Sequence, residues 1–309
     1  MNAPLPVAPV ATRMTLRDVW LHLRLPFSQY LLPVCLFALT LPPTVTNWKR
    51  TLWILFIIHV LMYPAANTYN SYYDRDEGSV NGLETPPPVD RTLFWVSLGL
   101  EALALLGGAL VNGQFVVFIL VYGAFMKAYS HPAIRIKKRP VASWLLISTF
   151  QGSFVFLMTY LVAQDIHLSP LFQRGIGQVN PWAGGVPLGT FISFLNILAL
   201  YPVTQVYQHA EDASRGDLTI SRLLGVRGTF VNAWVCLLAS AMGFFVFYRG
   251  GWPFWLMAAL LLPGLTYLAW LTARVWRDPD AATYHAAMWM TRLTGWGMNV
   301  FFAVLLGWL

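Results

Sequence analysis

Long apolar stretches alternate with short polar segments along almost the whole chain. Each stretch is about 20 residues long, the length that an α-helix needs to cross the hydrocarbon core of a bilayer. Arg24 and Pro26 interrupt the start of the first stretch. The pattern predicts about nine transmembrane helices, near residues 19–41, 51–72, 92–111, 114–130, 142–163, 188–208, 228–248, 254–274 and 287–308.

The composition agrees with this pattern, because 57% of the residues are hydrophobic and only 11% are charged. Such values are typical of integral membrane proteins and exclude an ordinary soluble domain. The loops between the stretches leave no room for a second folded unit, so we expect one all-α transmembrane domain over residues 15–309. The Pro/Ala-rich segment 1–14 is expected to be a disordered cytosolic N-terminus.

Basic residues are distributed unequally between the two sets of loops. If the N-terminus is cytosolic, the loops on the opposite face hold only Lys49, Arg50, Arg174 and Arg249, while Arg292 lies within the last stretch. This asymmetry follows the positive-inside rule and explains the net charge of +7 without a nucleic-acid partner. We therefore expect a multi-pass protein, as in a bacterial inner membrane, with its active site facing the cytosol.

Two polar segments follow apolar stretches on the expected cytosolic side. The first contains Asn67, Asn70 and Asp74, and the second contains Gln208 and Asp212. Residues four apart project from one face of a helix, so each segment presents an amide and a carboxylate together. Mg²⁺ prefers such oxygen ligands and usually joins one or two carboxylates to substrate phosphates. The segments therefore indicate a metal-assisted site for a charged ligand; the alternative is that they cap helices and solvate the interface.

A third polar segment supplies cations after the fourth apolar stretch. It contains Lys127 and Tyr129 near the helix end and a basic run, Arg135 to Arg139, in the loop. Such cations neutralise phosphate oxygens, and arginine does so with two parallel hydrogen bonds. Lys127 stands out because a charge within a membrane helix costs more than one in a loop. Arg24, at the start of the first stretch, is a similar candidate.

On these residues the chain resembles the UbiA superfamily of intramembrane prenyltransferases over most of its length. In that family a motif N-D-x-x-D-x-x-x-D ends helix 2, a tyrosine-lysine segment follows helix 4, and D-x-x-x-D ends helix 6. Asn70 and Asp74 match the first motif, and Lys127 and Tyr129 match the second segment. Asp212 matches the final aspartate of the third motif.

The chain departs from these motifs at three positions. Ser71 and Gly78 stand where the first motif has aspartates, and Gln208 replaces the first aspartate of the third motif. Such losses weaken the inference of a two-magnesium site. The neighbouring residues that we consider as replacements are Asp76, Glu77, His209 and Glu211.

The resemblance implies transfer of an isoprenyl group from a polyprenyl diphosphate to a hydrophobic, aromatic or quinone-like acceptor within the lipid bilayer, with Mg²⁺ as cofactor. The expected catalytic residues are Asn70, Asp74, Asp212 and Lys127, and the expected metal ligands are Asn70, Asp74, Asp212 and Glu211. The expected substrate-binding residues are Arg24, Asn67, Tyr129, Arg135, Lys138, Arg139 and Gln208. The alternatives are a membrane terpene cyclase, an enzyme for a diphosphate-linked sugar, and a non-catalytic lipid-binding protein that keeps the fold.

One further carboxylate, Glu101, lies inside the third apolar stretch and away from the motifs. A carboxylate within the membrane is a candidate functional residue. The alternative is that Glu101 is protonated and hydrogen-bonded to a neighbour.

Overall fold

The computed structural model describes residues 13–42, 45, 47–168 and 184–308, which form helices and no strand. The all-α prediction is confirmed for these residues. Residues 1–12 of the expected disordered segment lie outside the described residues. In the remainder of that segment, Met14 donates its N–H to Asp90 Oδ2 at 3.1 Å. The helices are α1 Leu16–Leu23, α2 Leu25–Ser28, α3 Leu32–Leu39, α4 Trp48–Asp74, α5 Arg91–Ala109, α6 Gly113–Ser130, α7 Pro140–Ala163, α8 Val186–Ser214, α9 Ile220–Phe247, α10 Trp252–Arg277 and α11 Tyr284–Trp308.

Seven of the described helices, α4 to α10, are long and apolar enough to cross a membrane. They coincide with seven of the nine predicted stretches. Helix α11 occupies the last predicted stretch but is not one of these seven. The number nine therefore stays a prediction.

The first predicted stretch is not one continuous helix but the three short helices α1, α2 and α3. Arg24 ends α1 and begins α2 with a left-handed backbone, φ +52°. Pro26 follows in the first turn of α2, where backbone N–H groups have no intrahelical acceptor, so the N–H that proline lacks is not needed. The break thus occurs at the two residues that interrupt the apolar pattern.

The helices pack on their neighbours in the chain. In addition, α3 near the N-terminus contacts α7 in the middle of the chain and α11 near the C-terminus. The aromatic ring of Phe37 on α3 lies at the centre of this contact. Its centroid is 5.2 Å from that of Phe156 and 5.1 Å from those of Phe244 and Phe302, which come from α7, α9 and α11. This apolar cluster fills one part of the bundle and leaves the polar motifs at the opposite end.

Two of the long helices contain a π-helical segment. In α4 it covers Ile57–Met62, and in α7 it covers Ser148–Phe154. The second segment includes Gly152, where an added Cβ would lie 2.6 Å from the carbonyl oxygen of Ser193 on α8. The glycine is therefore required for the close approach of α7 and α8.

Candidate active site

A cavity of about 180 Å³ lies at the end of the bundle where α4 and α8 carry their polar motifs. Its walls come from the α1–α3 region and from α4, α6, α7 and α8. Apolar and aromatic side chains line its deeper part. The polar and charged residues that line it include Arg24, Asn67, Asn70, Asp74, Asp76, Tyr129, Lys137, Gln151, Tyr201 and Gln208.

The end of α4 positions the first half of the site. The helix ends at Asp74 because Arg75 adopts a left-handed backbone, φ +48°. One turn earlier, Asn70 donates from Nδ2 to Asp74 Oδ2 at 2.7 Å and to Ser130 Oγ at 3.0 Å. The spacing of four residues therefore does bring the amide and the carboxylate together on one face of α4.

The loop after α6 places a lysine between the two motifs. A 3₁₀ turn, Ile136–Lys138, directs the side chain of Lys137 into the bundle, where it is buried. Lys137 Nζ lies 2.9 Å from Asp74 Oδ2, 4.0 Å from Asp212 Oδ1 and 3.9 Å from Asp217 Oδ2. Burial lowers the pKa of Lys137, but the neighbouring aspartates raise it more, so the net pKa lies above its ordinary value and the side chain is an ammonium ion.

A second ion pair supports this loop from behind. Arg135, with φ +41°, donates to the two carboxylate oxygens of Asp217 at 3.2 and 2.7 Å. Its guanidinium also lies 3.4 Å from Asp74 Oδ1. Asp217 is completely buried, and its N–H donates to the carbonyl of Asp212 at 2.9 Å. Because Arg135 is two residues from Lys137, this pair fixes the segment that carries the ammonium ion.

Arg24 reaches the cavity from the opposite side. Its guanidinium donates to Ser71 Oγ at 2.8 Å, while its Nε is buried and has no hydrogen-bond partner among the described residues. Within the described part of the chain, no carboxylate forms an ion pair with Arg24, although the residue is only 7% exposed. Asp76 and Asp74 act on its charge only from beyond ion-pair distance. A buried guanidinium without a directly paired carboxylate is costly, so this side chain favours an anionic ligand in the cavity.

The loop after α4 is bound to the C-terminal end of α8. Glu211 accepts hydrogen bonds from the backbone N–H groups of Glu77 and Gly78, at 2.8 and 3.1 Å. Arg215 forms ion pairs with both Glu211 and Asp76. These contacts close one edge of the cavity mouth and hold the two motifs at a fixed separation.

The sequence over residues 30–293 matches the model of the UbiA prenyltransferase family. The chain belongs to this family. The match includes both polar motifs and the basic loop, whereas Arg24 precedes it. No curated protein sequence matches the chain significantly.

Solved UbiA structures have the same fold at low sequence identity. A UbiA homologue from Archaeoglobus fulgidus bound to DMAPP and Mg²⁺ is 16% identical, with a TM-score of 0.63 over 93% of this chain and 98% of that chain. The apo structure of a UbiA homologue from Aeropyrum pernix K1 is 17% identical, with a TM-score of 0.61 over 93% and 99%. A structure of digeranylgeranylglyceryl phosphate synthase is 13% identical, with a TM-score of 0.55 over 94% and 98%.

Several residues expected from the UbiA motifs lie together at the cavity. Asn67 donates to the carbonyl of Leu23 at 3.3 Å, and Gln208 donates to that of Ser79 at 3.1 Å. Tyr129 shares a hydrogen bond between hydroxyl groups, 2.7 Å long, with Tyr201. The expected residues that line the cavity are Arg24, Asn67, Asn70, Asp74, Tyr129 and Gln208.

Other expected residues of the UbiA site lie outside this cavity wall. Lys138 and Arg139 are exposed, while Arg135 and Asp212 contact the cavity-lining side chains from behind. Glu211, expected as a metal ligand, has its carboxylate engaged with backbone N–H groups and Arg215. The structure therefore does not bring Glu211 to the carboxylates of Asp74 and Asp212.

Lys127 is also directed away from the cavity. Its neighbour Met126 faces the cavity, and the next residue on a helix points about 100° further round. Lys127 instead forms an ion pair with Glu101 on α5, beside a smaller cavity. The neighbour of Glu101 is thus a lysine, and the lysine that lines the larger cavity is Lys137.

Proposed function

We propose that this UbiA family member transfers an isoprenyl group from its diphosphate to a hydrophobic acceptor at the cavity beside Asp74. One observation carries the proposal. Carboxylates from the ends of α4 and α8, Asp74 and Asp212, converge on the Lys137 ammonium at the polar end of a cavity that continues between membrane helices. That arrangement suits a ligand with a charged head and an apolar chain.

The residues present fit one Mg²⁺ ion held jointly with the ligand. Asp74 Oδ1 is buried and accepts no hydrogen bond from the described residues, and Arg135 faces it only at 3.4 Å, so this oxygen would be the metal ligand of Asp74. Asn70 and Asp212 are the other oxygen donors nearby. Among the described residues, no three His, Cys, Asp or Glu side chains form a metal site by themselves. Phosphate oxygens would complete the coordination, as is usual for Mg²⁺, and the ion would act as a Lewis acid on the leaving group.

The side chains of the protein have separate roles in this reaction. Lys137 and Arg24 bind the diphosphate, whose bridging oxygen leaves C1 of the isoprenyl group with the electron pair of the broken bond. The acceptor supplies the electron pair of the new bond to C1 and releases a proton. Fixed cations at this place stabilise the negative charge that develops on the leaving group, which lowers the barrier to ionisation.

Aromatic side chains form much of the remaining wall. Tyr63, Tyr122, Tyr129 and Tyr201 line the cavity together with apolar residues of α7 and α8. Their ring faces attract the positive charge that develops on the allylic carbon. The same residues exclude water, which would otherwise hydrolyse the reactive group.

We also propose that the site faces the cytosol, since the basic loops lie at this end of the bundle and follow the positive-inside rule. Impermeant thiol labelling of single cysteines in the loop after α6, in sealed inside-out and right-side-out vesicles, tests this orientation. Labelling from the right-side-out face would contradict it.

Diphosphate release by the purified protein in detergent is the direct test of the function. The assay includes Mg²⁺, isoprenyl diphosphates of different lengths, and quinone-precursor acceptors present or absent. We expect release that requires Mg²⁺ and is lost in Asp74→Asn and Asp212→Asn but retained in Asp280→Asn, an exposed acid outside the cavity. Release without an acceptor would favour a cyclase. No release from any donor by folded protein would contradict an ionising enzyme and favour a binding role.

A further inference from the structure

The three positions at which the UbiA motifs have lost an acid are all engaged in other contacts. Ser71 accepts a hydrogen bond from Arg24, and Gln208 donates to the carbonyl of Ser79. Gly78 donates its N–H to Glu211, and a Cβ at this position would lie 2.7 Å from Glu211 Oε2. None of these three positions supplies a carboxylate beside Asp74.

The neighbouring acids do not take over the lost positions. Asp76 and Glu211 share the guanidinium of Arg215. Asp217 is buried against Arg135. Among the described carboxylates within 4.0 Å of Lys137, Asp74 lines the cavity, and Asp212 lies behind the cavity wall without an arginine partner. One or two carboxylates are the number that typically holds one Mg²⁺ together with phosphate oxygens.

Two fixed cations accompany this reduced set of carboxylates. Arg24 is buried and hydrogen-bonds only to the neutral hydroxyl of Ser71, with its Nε unpartnered among the described residues. An aspartate in place of Ser71 would neutralise that guanidinium. The serine instead leaves Arg24 without a directly paired carboxylate, Asp76 and Asp74 acting on it only at longer range. Lys137 is a second cation in the wall of the same cavity.

We propose that this protein binds its diphosphate ligand with a single divalent ion, and that Arg24 and Lys137 supply the positive charge that a second ion would otherwise provide. The inference rests on the proposed function, because it concerns the same ligand and the same cavity. It has two consequences that do not depend on turnover. The complex contains one metal ion per chain, and the diphosphate group binds measurably before any metal is added.

The test uses geranyl thiodiphosphate, an unreactive analogue in which sulfur replaces the bridging oxygen, and Mn²⁺ as a countable substitute for Mg²⁺. Isothermal titration calorimetry in EDTA measures metal-free binding, and electron paramagnetic resonance counts bound Mn²⁺ in the complex. We expect one Mn²⁺ per chain and metal-free binding that weakens at least tenfold in Arg24→Gln. Ser71→Asp is expected to have the same effect, because its carboxylate would pair with Arg24. Arg277→Gln, an exposed cation at the end of α10, is the matched control.

Each outcome bears on the proposal. Two Mn²⁺ ions per chain, or no binding in EDTA by protein that binds the analogue with Mn²⁺, would overturn it while leaving the proposed function intact. Equal metal-free affinity in wild type and Arg24→Gln would also overturn it. If folded wild-type protein does not bind the analogue even with Mn²⁺, the proposed function itself fails.

Discussion

The ion pair between Arg135 and Asp217 should be one of the strongest single interactions in the loop that carries Lys137. Its carboxylate is fully buried, and its two hydrogen bonds, 3.2 and 2.7 Å long, form the fork that suits a guanidinium. Breaking a buried pair usually costs about 3–5 kcal/mol, because the remaining charge loses its counter-ion. After substitution of one partner, the other keeps a different counter-ion in each case, so the expected loss in the free energy of unfolding also differs.

In Asp217→Asn, Arg135 keeps Asp74 Oδ1 at 3.4 Å, so we expect a loss of about 2–3 kcal/mol in the free energy of unfolding. In Arg135→Gln, the buried carboxylate keeps only the more distant Lys137 at 3.9 Å as a cation, and we expect about 3–5 kcal/mol. The double mutant removes both charges. The coupling energy of the cycle should therefore be about 1.5–3 kcal/mol, near the upper end for residues in contact.

Unfolding in mixed micelles of neutral detergent and dodecyl sulfate, followed by circular dichroism, measures these free energies. The matched control is the cycle of Arg50 and Asp165, at the opposite end of the bundle. These side chains are 2.5 Å apart but 21% and 58% exposed, so their coupling should be only about 0.2–1 kcal/mol. A coupling energy below about 0.5 kcal/mol for Arg135 and Asp217, or one no larger than the control, would refute the assignment of a buried pair.

Two further predictions concern positions with an internal control. Lys137→Met should lower diphosphate release at least a hundredfold, because it removes an electrostatic contact to the leaving group. Lys127→Met, the control, should lower release far less. Equal effects of the two substitutions would contradict the placement of Lys137 at the ligand. Gly152→Ala should destabilise the protein by about 1–3 kcal/mol, because its Cβ would overlap the carbonyl oxygen of Ser193. Gly99→Ala, which meets no atom within 4 Å, should be neutral or slightly stabilising in the same unfolding assay, and equal losses in both would contradict the close helix contact.

The parts of the site that follow helical periodicity were predictable from the sequence. Asn70 and Asp74 share a face of α4 because they are four residues apart, and the hydrogen bond between them needs no information from elsewhere in the chain. The membrane helices were predictable for a similar reason, because length and apolar composition alone define a span. The first region differed, since the left-handed residue Arg24 divides it into short helices, and the last stretch, α11, is not among the seven helices that are long and apolar enough to span.

The choice between Lys127 and Lys137 depends on information that the sequence pattern does not contain. A charge on a membrane helix costs more than one in a basic loop, which favours Lys127, but a helix also has a side that faces away from any cavity. The loop, in contrast, has no regular periodicity from which the residue whose side chain points inward can be predicted. The left-handed Arg135 and the 3₁₀ turn after it decide that Lys137 does so.

Glu211 illustrates a second limit. Its position in the sequence, next to Asp212, suggested a metal ligand. Its carboxylate is instead held by the N–H groups of Glu77 and Gly78, which are more than 130 residues away in the chain. Contacts between loops so distant in sequence depend on how the helices pack, so spacing within one motif does not reveal them.

The π-helical segments of α4 and α7 make the number of residues in an apolar helix a determinant of the site. A π-helical turn holds about one residue more than an α-helical turn, and one residue corresponds to a rotation of about 100°. Everything from Tyr63 to Asp74 follows the segment Ile57–Met62, and Gln151 lies within the segment of α7. Removing a single apolar residue from Ile57–Met62 would therefore convert the segment to an α-helical turn and keep Asn70 and Asp74 directed at the cavity, whereas removing one residue from an α-helical part of α4 before Asn70 would turn them away. In comparisons between relatives, a one-residue gap at the π-helical segment is therefore compatible with the same polar site, whereas such a gap elsewhere before Asn70 changes the orientation of the motif as effectively as the loss of an aspartate.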